Sequence, residues 1–138
     1  EYRDEMRCRM MAGQNLVLFP EGTSNDGNRV LRFNSTFFSV AETKAQGAHV
    51  TVQPIAIAYT SLDGLPLGRS RRSLFAWYGE MDLVSHLWSV LGQSMVTVEI
   101  AFLPTITMEA CGSRKEMARR CQLMVATSVS DMLSGRPV

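Results

Sequence analysis

From Met95 to Phe102 the chain alternates strictly, with Val96, Val98, Ile100 and Phe102 set against Met95, Thr97, Glu99 and Ala101. A period of two places one apolar set on one side of an extended strand, and no helical face accommodates it. Pro104 ends the run. Three other segments read as strands. Asn15 to Phe19 is a short continuous apolar run, of the kind buried on both faces. Val50 to Tyr59 is β-branched but interrupted by Pro54, which lacks a ladder donor and so puts the strand at an edge or at a bulge. Leu74 to Tyr78 is a short aromatic strand.

Helical patterns lie between these runs. Residues 4–12 carry Met6 and Met10 four apart, with Gly13 as a stop. Residues 35–46 place Phe37, Phe38, Ala41 and Ala45 on one side, closed by Gly47. Asp82 is positioned to cap a helix bearing Leu83, Leu87, Val90 and Leu91 on one face. Ser113-Arg114-Lys115-Glu116 has the spacing of a capping box, followed by Met117, Cys121, Met124, Val125, Ser128 and Met132 at helical intervals over residues 113–134. Residues 61–73 read as a Gly/Pro/Ser-rich loop. This alternation predicts an α/β fold with a mixed, largely parallel sheet flanked by helices, in which Leu16 to Phe19, Val50 to Ala58 and Val96 to Phe102 share one sheet.

Composition narrows the function. The 138 residues suffice for one domain with a core. A net charge of +1 provides no general attraction for nucleic acid, and no nucleic-acid partner is expected. No apolar run approaches the roughly 18 residues of a membrane-spanning helix. Nothing at the start reads as a signal peptide. Three cysteines, Cys8, Cys111 and Cys121, have no paired or metal-like spacing and read as reduced thiols in a cytosolic compartment. Neither a metal nor a cofactor is expected. Glu1-Tyr2-Arg3-Asp4 begins without methionine and reads as the inside of a polar helix, so the chain is expected to be a piece lacking its N-terminal part.

Chemistry concentrates where the apolar run 16–19 gives way to Pro20-Glu21-Gly22-Thr23-Ser24. In open α/β sheets, ligands sit beyond the carboxyl ends of strands. Gly22 lets backbone approach a ligand, and Thr23 and Ser24 add hydroxyls. The alternative is that Glu21 accepts amide hydrogens and braces a turn. Asn25-Asp26-Gly27 then offers a tight reversal.

Phe19-Pro20-Glu21-Gly22-Thr23, with Leu16-Val17-Leu18 before it, resembles the third conserved block of the glycerolipid acyltransferases, which acylate lysophosphatidic acid and related lysolipids. Val52-Gln53-Pro54-Ile55-Ala56-Ile57 resembles the fourth, and Trp77-Tyr78-Gly79-Glu80-Met81-Asp82 with His86-Leu87-Trp88 is similar to bacterial members. The resemblance covers nearly the whole chain. It implies that residues 1–138 are the C-terminal portion of one acyltransferase domain. Family members use a His-x4-Asp motif: the histidine takes the proton of the acceptor hydroxyl, which attacks an acyl thioester. His49 and His86 are the two histidines, and neither is followed by an aspartate at that spacing. The resemblance therefore implies that the catalytic motif lies upstream, that no catalytic residue belongs to this chain, and that the chain alone is inactive.

By the same resemblance Glu21, Gly22, Thr23 and Ser24 belong to the acyl-acceptor site. The family commonly has an arginine where Ser24 stands, a guanidinium suited to a phosphate. Either Arg29 or Arg32 reaches back to replace it and pairs with Glu21, or the acceptor lacks a phosphate, as a lyso-ornithine lipid does. The implied activity is transfer of a fatty acyl group from acyl-CoA or acyl carrier protein to a lysophospholipid, lysophosphatidate to phosphatidate, in phospholipid biosynthesis. The implied place is the cytoplasmic face of a membrane, the bacterial inner membrane. The rival is a non-catalytic α/β lipid-binding or interaction module in which Glu21 is structural. Arg69, Arg71 and Arg72 read either as a solvated basic loop or as contacts for anionic headgroups or CoA phosphates. Trp77, Tyr78 and Trp88 fit a membrane-facing surface or core packing equally.

Overall fold

A computed structural model describes residues 2–45 and 48–136. In chain order its elements are α1 (Tyr2–Met11), a 3-10 helix (Phe37–Glu42), β1 (Lys44–Ala45), β2 (Ala48–His49), β3 (Thr51–Val52), β4 (Ile55–Leu62), β5 (Leu65–Pro66), α2 (Arg69–Arg72), a second 3-10 helix (Ser73–Phe75), α3 (Leu83–Leu91), β6 (Val96–Phe102), β7 (Ile106–Thr107), α4 (Met108–Cys111) and α5 (Arg114–Leu133).

The class is mixed α/β, and the sheet direction differs from expectation. Every described strand pair is antiparallel: β1 with β2, β3 with β7, and β4 with both β5 and β6. The main sheet has the order β5-β4-β6. In it Ile55 opposes Phe102, Ile57 opposes Ile100 and Tyr59 opposes Val98, with a bulge between Tyr59 and Ser61. The largely parallel sheet expected from the sequence is therefore not found. Alternation says which residues share a face but not which way the neighbouring strand runs. The turn joining β4 to β5 is Asp63-Gly64, both at positive φ (54° and 76°), which suits the twist of a two-residue hairpin.

Other departures have local causes. Pro54 is buried and separates β3 from β4 instead of sitting at an edge, and its carbonyl accepts the Leu103 amide at 3.0 Å. Leu16 to Phe19 belongs to no helix and no ladder, and Val17 and Phe19 are each 79% exposed. Leu74 and Phe75 belong to a 3-10 turn, not a strand. The helix expected at 35–46 is a 3-10 helix over Phe37–Glu42, and Gln46 and Gly47 lie outside the described residues.

Capping follows the sequence closely. Asp82 accepts from the Ser85 amide at 2.8 Å, and Ser113 Oγ accepts from the Glu116 amide at 3.2 Å. The Glu116 carboxylate does not close the box. It accepts from Arg119 and Arg120 at 2.7 to 2.9 Å, and these bonds hold its carboxyl down to about 2.

α5 covers one face of the sheet. Ala56 and Ala58 are buried against Val125, Val129 and Met132, while Met117 and Cys121 pack with Phe38 and Ala41 further along. Burial, with Cys111 nearby, pushes the Cys121 thiol up to about 12, so it is an inert core group. The opposite sheet face carries Ile55, Ile57, Tyr59, Val98, Ile100 and Phe102, all 39 to 68% exposed. The apolar set of β6 thus faces away from α5, and only the small Ala101 packs toward that helix.

Candidate acyl-acceptor site

The residues after Phe19 form a closed loop. The Asn34 amide donates to the Pro20 carbonyl at 2.8 Å and ties its two ends together. Gly22 stands at φ +68°, a left-handed conformation that costs an L side chain about 1 kcal/mol or more, and its amide donates to the Phe19 carbonyl at 3.2 Å. A glycine here makes the break in the apolar run possible, since the chain must reverse within one residue of Glu21.

Glu21 is half-buried, and one carboxylate oxygen organises the loop. Its Oε2 accepts from Asn25 Nδ2 at 2.9 Å and from the Leu31 amide at 3.1 Å. Among the described residues, its other oxygen accepts no hydrogen bond. The reversal at 25–27 has the chemistry its residues suggest. Asn25 Oδ1 accepts the Gly27 amide at 2.8 Å, and Gly27 stands at φ +74°. Asp26 accepts from the side chain and the amide of Asn28 at 3.0 and 3.2 Å, which lowers its pKa, with Arg29 a smaller influence.

Glu21 and Gly22 therefore stand together at the end of the apolar run, followed by the exposed Thr23 and Ser24. The arginines are placed elsewhere. Among the described residues no arginine makes an ion pair with Glu21. Arg32 is exposed, and Arg29 lines a cavity with Arg69 and Arg72. Glu21 thus accepts a backbone amide, as the turn-bracing alternative expected, and the partners that sequence reasoning did not name are Asn25 and Leu31. The Glu-x3-Asn spacing was a usable signal for the first, whereas the second depends on how the loop closes.

His86 lies on α3, half-buried, and the side chain of His49 lies outside the described residues. Among the described residues no three His, Cys, Asp or Glu side chains are grouped to hold a metal ion. No described helix is long and apolar enough to cross a membrane.

Similarity to known proteins agrees with the residues of this loop. The Acyltransferase family model matches residues 1–58, which include the whole loop and Pro54. A lyso-ornithine lipid O-acyltransferase of Brucella abortus (strain 2308) is 39% identical over 137 residues, covering 97% of this chain and 51% of that protein. Proteins of the same description from Rhizobium meliloti (strain 1021) and Rhodobacter capsulatus are 37% and 32% identical, covering 93% and 88% of this chain and 45% and 42% of theirs. The chain spans about half the length of the curated relatives it matches. No solved structure matches it. With its Glu21-Gly22 loop inside the matched segment, the chain belongs to the glycerolipid acyltransferase family.

Proposed function

We propose that the chain supplies the acceptor side of an O-acyltransferase that moves a fatty acyl group from a thioester donor to the hydroxyl of a lyso-ornithine lipid. The observation that carries this reading is the charge around Glu21. A carboxylate has one oxygen pinned by Asn25 and Leu31, and among the described residues the other accepts no bond and no arginine forms an ion pair with it, while the neutral Ser24 follows three positions on. An ornithine headgroup offers an ammonium that a carboxylate attracts. A phosphate headgroup would meet an uncompensated like charge. The relatives' descriptions favour the same acceptor. The lysophosphatidate reading needs Arg29 or Arg32 beside Glu21, and this arrangement does not supply one.

The general base is the part this chain does not carry, because neither histidine has the His-x4-Asp spacing. Membrane association is part of the proposal. On α3, Leu83, Val84, Leu87, Trp88 and Leu91 are all exposed, and a helix presenting such side chains beside a Trp suits the bilayer interface. The thioester donor is acyl-CoA or acyl carrier protein, and the assay below compares the two.

The test is acyl transfer by the complete gene product. Lyso-ornithine lipid and lysophosphatidate would be offered separately, each with acyl-CoA and with acyl carrier protein. A higher kcat/KM for the lyso-ornithine lipid is expected. Preference for lysophosphatidate would overturn the acceptor assignment, and no turnover with any pair would favour a non-catalytic lipid-binding module.

A further inference from the structure

A cavity of about 330 Å3 lies between the loop after Gly27, α2 and the C-terminal half of α5. Arg29, Arg69 and Arg72 all line it, and among the described residues no carboxylate does. Three guanidinium groups in one concavity repel each other, and the half-buried Arg72 also gives up part of its hydration.

The partners of these arginines are few and neutral. Arg72 donates Nη1 to Asn28 Oδ1 and Nη2 to the Leu133 carbonyl, both at 3.3 Å. Its Nε–H is buried without a partner among the described residues. Among the described residues, Arg29 and Arg69 make no ion pair. Of the nearby acids, Asp131 pairs with Arg136 at 2.8 Å, and Asp26 accepts from the neutral Asn28 while feeling the charge of Arg29. One feature opposes an anion here, because the last turn of α5 presents its carbonyls and a partial negative charge. Arg72 answers that end through Leu133. Arg29 and Arg69, both exposed at the rim, are held in no ion pair among the described residues, although the Asp26 carboxylate feels the charge of Arg29.

We infer that this cavity is a binding site for a phosphomonoester. Two unpaired guanidinium groups, with Arg72 behind them, match a dianion with several acceptor oxygens better than a single carboxylate. Ser130 offers a hydroxyl, and Val30 and Val129 give the ligand an apolar wall, so the phosphate belongs to an organic molecule with an uncharged portion. The site involves neither Glu21 nor Ser24 and does not rest on the acyl-acceptor reading.

Isothermal titration of the purified protein with inorganic phosphate, coenzyme A and dephospho-coenzyme A tests this. Saturable binding of at least one phosphomonoester or of phosphate at about 1 mM or tighter is expected. Coenzyme A binding that is lost without its 3′-phosphate assigns the site to that group, and binding of inorganic phosphate alone assigns it to the free ion. Arg29→Gln and Arg69→Gln, at exposed positions, should each weaken binding about tenfold or more with the melting temperature unchanged. Binding should also weaken as salt rises. No binding of any of the three at about 10 mM, equal affinity for coenzyme A and its dephospho form without phosphate binding, or unaltered affinity in both variants would overturn the inference.

Discussion

Phe75 lies flat on Tyr59, with ring centroids 5.2 Å apart and planes 7° from parallel. The contact places the 3-10 turn of residues 73–75 on the sheet face that α5 does not cover. It shields one end of that face, and Ile55, Ile57, Ile100 and Phe102 stay exposed beyond it. The two faces of β4 therefore differ sharply in what they tolerate.

Ala56→Leu should destabilise the fold by about 1–3 kcal/mol, because Ala56 is 0% exposed against α5 and added methylenes have no room. Ile57→Thr, on the opposite face at 52% exposure, should change stability by about 0.5 kcal/mol or less. Urea unfolding of both variants checks the contrast. Equal losses would mean that the Ile57 face is covered in solution.

Gly22→Ala should cost about 1–2 kcal/mol through its left-handed backbone. A Cβ there would lie 3.5 Å from the Phe37 ring, an ordinary contact, so crowding adds nothing. A thermal melt that matches the parent would show that the loop accepts another conformation.

Asn25→Ala removes one bond to Glu21 and one from the Gly27 amide, and should lower stability by about 1–3 kcal/mol. Protease cutting within residues 20–34 should quicken in the same variant. If cleavage and melting both stay unchanged, Glu21 is held by Leu31 alone.

In the acyltransferase proposed above, Glu21→Gln should raise the acceptor KM while leaving the donor KM unchanged. A lost charged hydrogen bond is worth roughly 1.5–3 kcal/mol, about tenfold or more in kcat/KM. Wild-type kinetics for both substrates would make Glu21 a brace for the turn and nothing else.

Acid should weaken α5 through Glu116. Its carboxyl falls from 4.5 to about 2 on folding because Arg119 and Arg120 bond the ionised form. A folded value below the unfolded one gives stability that is present above pH 4.5 and lost as pH falls from there toward 2. All three side chains are solvent-facing, so the effect is small and fades with salt. Melting of the parent and of Glu116→Gln at pH 6 and pH 3 measures it. The parent should lose more, and equal losses would remove the role of these pairs.

Features closed within a few residues were legible in the sequence. Asp82 and Ser113 cap helices because a side-chain oxygen reaches an amide three positions on, and Gly13 ends α1 for want of a Cβ. The reversal at Asn25-Asp26-Gly27 is equally local. The break in the apolar run at Glu21 and Gly22 was legible for the same reason, its residues being consecutive. What the tertiary structure alone decided were relations between distant segments: β6 running antiparallel to β4, α5 choosing the alanine face, and Leu31 and Asn34 returning to Glu21 and Pro20. A period of two is the same for either strand direction and either covered face. Only packing of the whole chain breaks that symmetry, and packing likewise placed Arg29 with Arg69 and Arg72 in one cavity.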